Sequence, residues 1–95
     1  MSNKKFILNA DDFGMSEAYN RAVLEGYAEG ILKSASLAAN GESFDEAVNV
    51  VIPKCPDLGI GVHLNIIEGK SLCEDINTLT DSNWQFNNSF GQLLL

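Results

Sequence analysis

Three short apolar runs that lack a helical period, Phe6-Ile7-Leu8, Ser34 to Ala39 and Leu58 to Asn65, are separated by two stretches whose apolar residues recur every three and four positions. Runs of that length bounded by polar and turn residues read as strands, and the repeats between them as amphipathic helices. The first strand is expected over Lys4 to Ala10, closing at Asp11-Asp12-Phe13-Gly14. Ser16 is a good N-cap, and Tyr19, Ala22, Val23, Gly26 and Tyr27 form one stripe behind it, which predicts a helix from Glu17 to Glu29 stopped by Gly30. Ser43-Phe44-Asp45-Glu46 has capping-box spacing, and the stripe Phe44, Ala47, Val48, Val51, Ile52 runs on from it until Pro53 and Pro56 close the segment. Gly59 and Gly61 in the third strand mark close approach by another backbone or a ligand. From Glu68 to Asn88 the chain is polar and turn-rich, and the tail Phe90 and Leu93-Leu94-Leu95 reads as the start of a further element.

The order strand, helix, strand, helix, strand implies a βαβαβ unit of parallel strands, hence an α/β fold whose sheet wants cover on both faces. The 95 residues make a single domain at most. They cannot close a (β/α)₈ barrel, which takes about 250 residues. If the architecture is TIM-like, residues 1–95 are a single N-terminal fragment, the opening third of that barrel.

With 13 acidic residues against 6 basic and a net charge of −7, the chain has no electrostatic footprint for nucleic acid or for an anionic membrane. The apolar run after Lys4-Lys5 is too short for a signal-peptide core. Cys55 and Cys73 match no metal or redox spacing, so they read as thiols of a cytoplasmic protein, Cys55 in the core. Unpaired strand edges and an uncovered apolar face predict self-association, as a homo-oligomer or otherwise.

In a parallel sheet the C-terminal ends of all strands lie along one edge, where ligands bind. Asp11 and Asp12 follow the first strand, Asn40 the second, and His63 with Asn65 the third. A carboxylate and an imidazole brought together can hold a divalent metal, though a catalytic metal takes roughly three protein ligands and an open position. The second carboxylate could then orient or deprotonate the attacking water, which suggests metal-assisted hydrolysis. Plainer alternatives stand beside each assignment. An acid pair after a strand is also a turn and helix-start signal, and Asn40-Gly41 is a natural turn. His63 between Val62 and Leu64 also suits a hydrogen-bonded core histidine, and Trp84 and Phe86 could cap the core or stack on a sugar. Gly59-x-Gly61 lacks the third glycine of a dinucleotide fingerprint. A receiver domain also places an acid pair after its first strand to hold magnesium, but it needs an aspartate where His63 stands.

Leu8-Asn9-Ala10-Asp11-Asp12-Phe13-Gly14, followed by Gly61-Val62-His63-Leu64-Asn65, resembles the N-terminal part of the YdjC-like carbohydrate deacetylases. Lys33-Ser34-Ala35-Ser36-Leu37 and Glu68-Gly69-Lys70-Ser71-Leu72 fit the same pattern, so the match runs from about residue 5 to residue 73. The resemblance implies a (β/α)-barrel-like enzyme that removes acetyl groups from N-acetylated oligosaccharides with a divalent cation, Mg²⁺ by resemblance, while the ligand chemistry also admits Mn²⁺ and Zn²⁺. Carried over residue by residue, Asp12 and His63 become metal ligands and Asp11 the catalytic base or its orienter; Asn65 and Asn40, set at the strand ends by the topology, are candidate substrate contacts. The family's remaining histidine ligand is expected well downstream of His63, so the 95-residue chain is expected to be inactive alone. An H-x-x-x-H polysaccharide deacetylase fits less well, because Ile67 stands four positions after His63.

Overall fold

A computed structural model describes residues 3–74, 76, 78–86 and 88. Three parallel strands, β1 (Asn9–Phe13), β2 (Ser34–Leu37) and β3 (Gly59–Val62), form one sheet in the order β1-β2-β3. Ser34 lies between Asn9 on one side and Gly59 on the other, and Leu37 between Phe13 and Val62. The α/β expectation holds at this level. The tail Phe90 and Leu93-Leu94-Leu95 lies outside the described residues. Among the described residues no helix is long and apolar enough to cross a membrane.

The first strand sits further along the chain than its apolar run suggests. Phe6, Ile7 and Leu8 are exposed and precede the first paired position, because β2 begins at Ser34, opposite Asn9. Pairing therefore extends through Asp11 and Asp12, which belong to β1 instead of following it.

Helix α1 (Glu17–Ala28) keeps its expected start and stop. The Ser16 side chain accepts the Tyr19 N–H at 3.2 Å, and Gly30, at φ 83°, turns the chain away after the cap at Glu29. Its packed face, however, is Asn20, Val23, Leu24 and Tyr27, while Tyr19 and Ala22 are exposed. Tyr19 and Ala22 border a cleft of about 260 Å³ along the free edge of β1.

The second helix opens as α2 (Phe44–Glu46), widens into a π-helical turn over Ala47–Val51, and resumes as α3 (Ile52–Lys54). The Ile52 N–H reaches back to the Ala47 carbonyl, five residues away. Pro53 is the physical cause: in a regular helix its ring would strike the Asn49 carbonyl, and it has no N–H to give. The expected capping box does not form. Ser43 makes no side-chain cap, and the Glu46 carboxylate turns instead to Asn20. Ala47, Val51 and Cys55 are buried, and with Phe13, Val23, Leu32, Ala35 and Leu58 they make up the core between sheet and helices.

The opposite face of the sheet carries Asn9, Asp11, Ser34, Ser36, Gly59 and Gly61, by the two-residue period and the register. It is polar and open where an apolar layer was expected. Exposed apolar side chains concentrate ahead of β1 and along β3, at Ile60, Val62 and Leu64.

Candidate metal centre

The site begins with a bulge. Ala10 pairs with Ala35 and Phe13 with Leu37, so Asp11 and Asp12 together stand against Ser36. In a regular strand, adjacent residues point to opposite faces and the acid pair would be split by the sheet. The extra residue lets Phe13 return to the core, fully buried, and bends the backbone at Asp12 to φ 61°. Aspartate tolerates this left-handed conformation better than most residues. The Met15 N–H closes the turn on the Asp12 carbonyl at 3.1 Å.

His63 is the first residue after β3, and its N–H donates to the Leu37 carbonyl at 2.8 Å, prolonging the ladder by one rung. Its Nδ1 accepts the Asp12 N–H at 3.2 Å and lies 3.5 Å from Asp12 Oδ1, with the two side chains 33% and 42% exposed. Two residues 51 positions apart are thus brought together at the strand ends. A carboxylate and an imidazole side by side are the donor types that hold a divalent cation; with Nδ1 accepting the Asp12 N–H, the imidazole would offer such an ion its Nε2. The donor set, without thiolate, suits magnesium, manganese or zinc. Among the described residues, no third His, Cys, Asp or Glu joins them to make a cluster of three.

Asp11 is exposed beside this pair. Its Oδ1 accepts the Asn9 amide at 2.9 Å, and the same amide reaches Ser36 Oγ at 3.0 Å. Asn40 and Asn65 meet each other: Asn65 Nδ2 lies 3.3 Å from Asn40 Oδ1, and both amides donate to the Glu68 carbonyl, at 3.0 Å from Asn40 and 2.8 Å from Asn65. Asn65 Oδ1 also accepts the N–H groups of Ile67 and Glu68. The two asparagines therefore clamp the chain that leaves β3 against the loop that leaves β2.

Sequence reasoning missed Asn20, which is completely buried. Its Oδ1 accepts the Gly14 N–H at 2.9 Å, while Nδ2 donates to the Ser43 carbonyl and to Glu46 Oε1, each at 3.0 Å. The Ser43 N–H returns to the Gly14 carbonyl at 2.9 Å. An asparagine on the apolar side of a helix was the available signal. Gly41 completes the knot, because a Cβ there would collide with the Gly14 carbonyl. The loops after β1 and β2 are thereby fastened together two residues beyond Asp12.

The fold is that of an α/β protein, with an acid pair and an imidazole at the C-terminal edge of its parallel strands, the usual ligand position of such sheets. Residues 5–94 match the family described as YdjC-like protein, and the chain belongs to that family. It is 43% identical over 89 residues to a carbohydrate deacetylase of Thermoanaerobacter pseudethanolicus, covering 92% of this chain and 35% of that protein. It is also 43% identical to carbohydrate deacetylase 1 of Listeria innocua, covering 94% of this chain and 36% of the relative. A solved structure from Enterococcus faecalis V583, described as a cellobiose-phosphate cleavage protein, superposes with a TM-score of 0.80 at 32% identity, over 93% of this chain and 35% of that one. The chain spans about a third of the length of these relatives.

Proposed function

We propose that this chain is the metal-holding opening part of a carbohydrate deacetylase, with β1 to β3 as the first strands of a (β/α) barrel. The observation that carries the proposal is the meeting of the His63 imidazole with Asp12 across 51 residues at the strand ends. The names of the relatives, carbohydrate deacetylases, support an acetylated carbohydrate as the substrate class, and we take the acetyl group to be N-linked. The polar open face of the sheet supports the barrel, since it offers hydroxyls, amides and a carboxylate toward the space a closed barrel would enclose.

Asp12 and His63 would hold the cation, and since the described residues give no cluster of three, a further ligand would have to come from elsewhere. Once bound, a divalent cation supplies Lewis acidity toward a carbonyl oxygen and toward water. Asp11, held by Asn9 but exposed, takes the proton from the attacking water. Hydroxide adds to the acetamide carbon, the C–N bond breaks, the sugar nitrogen receives the proton, and acetate leaves. The Asn20 knot keeps both aspartates in place without touching substrate.

The test joins this chain to the remaining two-thirds of the Thermoanaerobacter relative and measures acetate release from N-acetylated chito-oligosaccharides. The joined protein is expected to be active with Mg²⁺, Mn²⁺ or Zn²⁺, and Asp12→Ala, His63→Ala and Asp11→Asn each to lower the rate by about 10²-fold or more. The 95-residue chain alone is expected to be silent. Activity that survives His63→Ala, or a joined protein silent with all three metals, sinks the proposal.

A further inference from the structure

Asn40-Gly41 is the only place in the chain where an asparagine is followed by glycine. Asparagine is among the thermolabile residues, and a following glycine, lacking a Cβ, puts the least bulk between its own backbone nitrogen and the asparagine carboxamide carbon. The pair is therefore the chain's foremost candidate for spontaneous loss of a side-chain amide.

The fold holds each group of that reaction in another bond. The Gly41 N–H, whose nitrogen is the nucleophile, donates to the Ala38 carbonyl at 3.0 Å. The carboxamide is gripped at both atoms: Nδ2 donates to the Glu68 carbonyl at 3.0 Å, and Oδ1 accepts the Asn65 amide at 3.3 Å. Gly69, at φ 83°, lies against the same amide, where a Cβ would come to 3.0 Å from Nδ2. The Gly41 carbonyl accepts the Phe44 N–H at 3.1 Å, and the Gly41 backbone is in contact with that of Gly14. For the nitrogen to reach the carboxamide carbon, both must first leave these partners.

We propose that Asn40 is a deamidation site gated by the clasp of Asn40, Asn65 and Glu68, and that the modification, once made, keeps the clasp from closing. In the opened loop the Gly41 nitrogen attacks Asn40 Cγ. The N–Cγ bond forms, the Cγ–Nδ2 bond breaks, and ammonia leaves with the proton from Gly41. Water then opens the cyclic imide at either carbonyl, giving aspartate or isoaspartate. An aspartate has no donor for the Glu68 carbonyl, so acceptor oxygens face each other where a hydrogen bond stood. Isoaspartate also puts a methylene into the main chain beside Gly41, where the Gly14 backbone leaves no room even for a Cβ. In either product the loop after β2 keeps at most the Asn65 amide as a side-chain tie to the chain that leaves β3.

The native chain and the chain unfolded in guanidinium chloride are incubated side by side in mildly alkaline buffer, and the tryptic peptide 34–54 is sequenced by mass spectrometry. Amide loss at Asn40 is expected to be about tenfold or more slower in the native chain, because the fraction of time the clasp is open sets the rate. Asn65→Ala, with far-UV circular dichroism unchanged, is expected to bring the native rate to within about threefold of the unfolded one. The deamidated fraction, separated on anion exchange by its added negative charge, is expected to unfold at a lower urea midpoint than its parent. Asn40→Gln carried through the same incubation is expected to keep its own midpoint. Equal rates in folded and unfolded chain, or a native rate that Asn65→Ala leaves unchanged, overturns the gate. An unshifted midpoint in the deamidated fraction, or an equal fall in Asn40→Gln, overturns the consequence drawn for the clasp. If Asn65→Ala does not fold, the comparison of folded with unfolded chain decides the gate by itself.

Discussion

Asp12 combines a proposed ligand role with a backbone conformation, and substitution can separate the two. Glycine adopts φ 61° freely but alanine does not, and neither carries a carboxylate. In urea unfolding, Asp12→Gly is expected to be more stable than Asp12→Ala by about 1 kcal/mol, while both lose Mn²⁺ affinity. Equal stability of the two variants would show that the left-handed turn carries no strain. Asn20 is purely structural in contact, so Asn20→Leu strands the buried Gly14 N–H and removes the amide donor from Glu46, while the Ser43 carbonyl keeps the Ala47 N–H. A loss of about 2–4 kcal/mol is expected, read from the urea midpoint. The thiols divide as well. Cys55 is 2% exposed and burial pushes its thiol up from the ordinary range, whereas Cys73 is exposed. Mass spectrometry of iodoacetamide-treated protein is expected to find Cys73 labelled first, with Cys55 reacting only once the chain unfolds.

At the scale of elements, the contact between the loops after β1 and β2 is backbone on backbone. Gly41→Ala must therefore push those loops apart, and the Ser43 to Gly14 hydrogen bond goes with them. The expected outcome is a loss of about 1–3 kcal/mol together with weakened Mn²⁺ binding, measured by urea unfolding and electron paramagnetic resonance. Helix α1 was legible because Ser16 and Gly30 are local signals that act through their own backbone. Its packed face was legible only in part, since Asn20 displaced Tyr19 and Ala22 through partners far along the chain. The convergence of Asp12 and His63 followed from parallel topology, which any βαβαβ order imposes. The bulge did not follow, because period-two reasoning assigns neighbouring aspartates to opposite faces and cannot count an extra residue. The π-helical turn was hidden for a similar reason: Pro53 was read as an end, but burial of Val51 and Cys55 on either side of it held the helix together through a local widening.

For the whole molecule, two tendencies oppose each other. A net charge of −7 keeps copies apart, while Ile60, Val62 and Leu64 leave an apolar line along β3, which among the described residues is paired on one side only. Raising the salt from about 0.01 to 0.15 M shortens the screening length from about 30 to 8 Å, so sedimentation velocity is expected to show more self-association at the higher salt. Ile60→Lys with Val62→Lys is expected to return the chain to monomer, and association indifferent to both salt and these changes would place the contact elsewhere. The open face of the sheet has a different consequence. A sheet face waits uncovered until whatever covers it has been made. Asn9, Ser34, Ser36 and the two β3 glycines give that waiting surface hydroxyls, amides and bare backbone, all of which water wets. A nascent chain built this way can pack its helices on one side early and tolerate delay on the other.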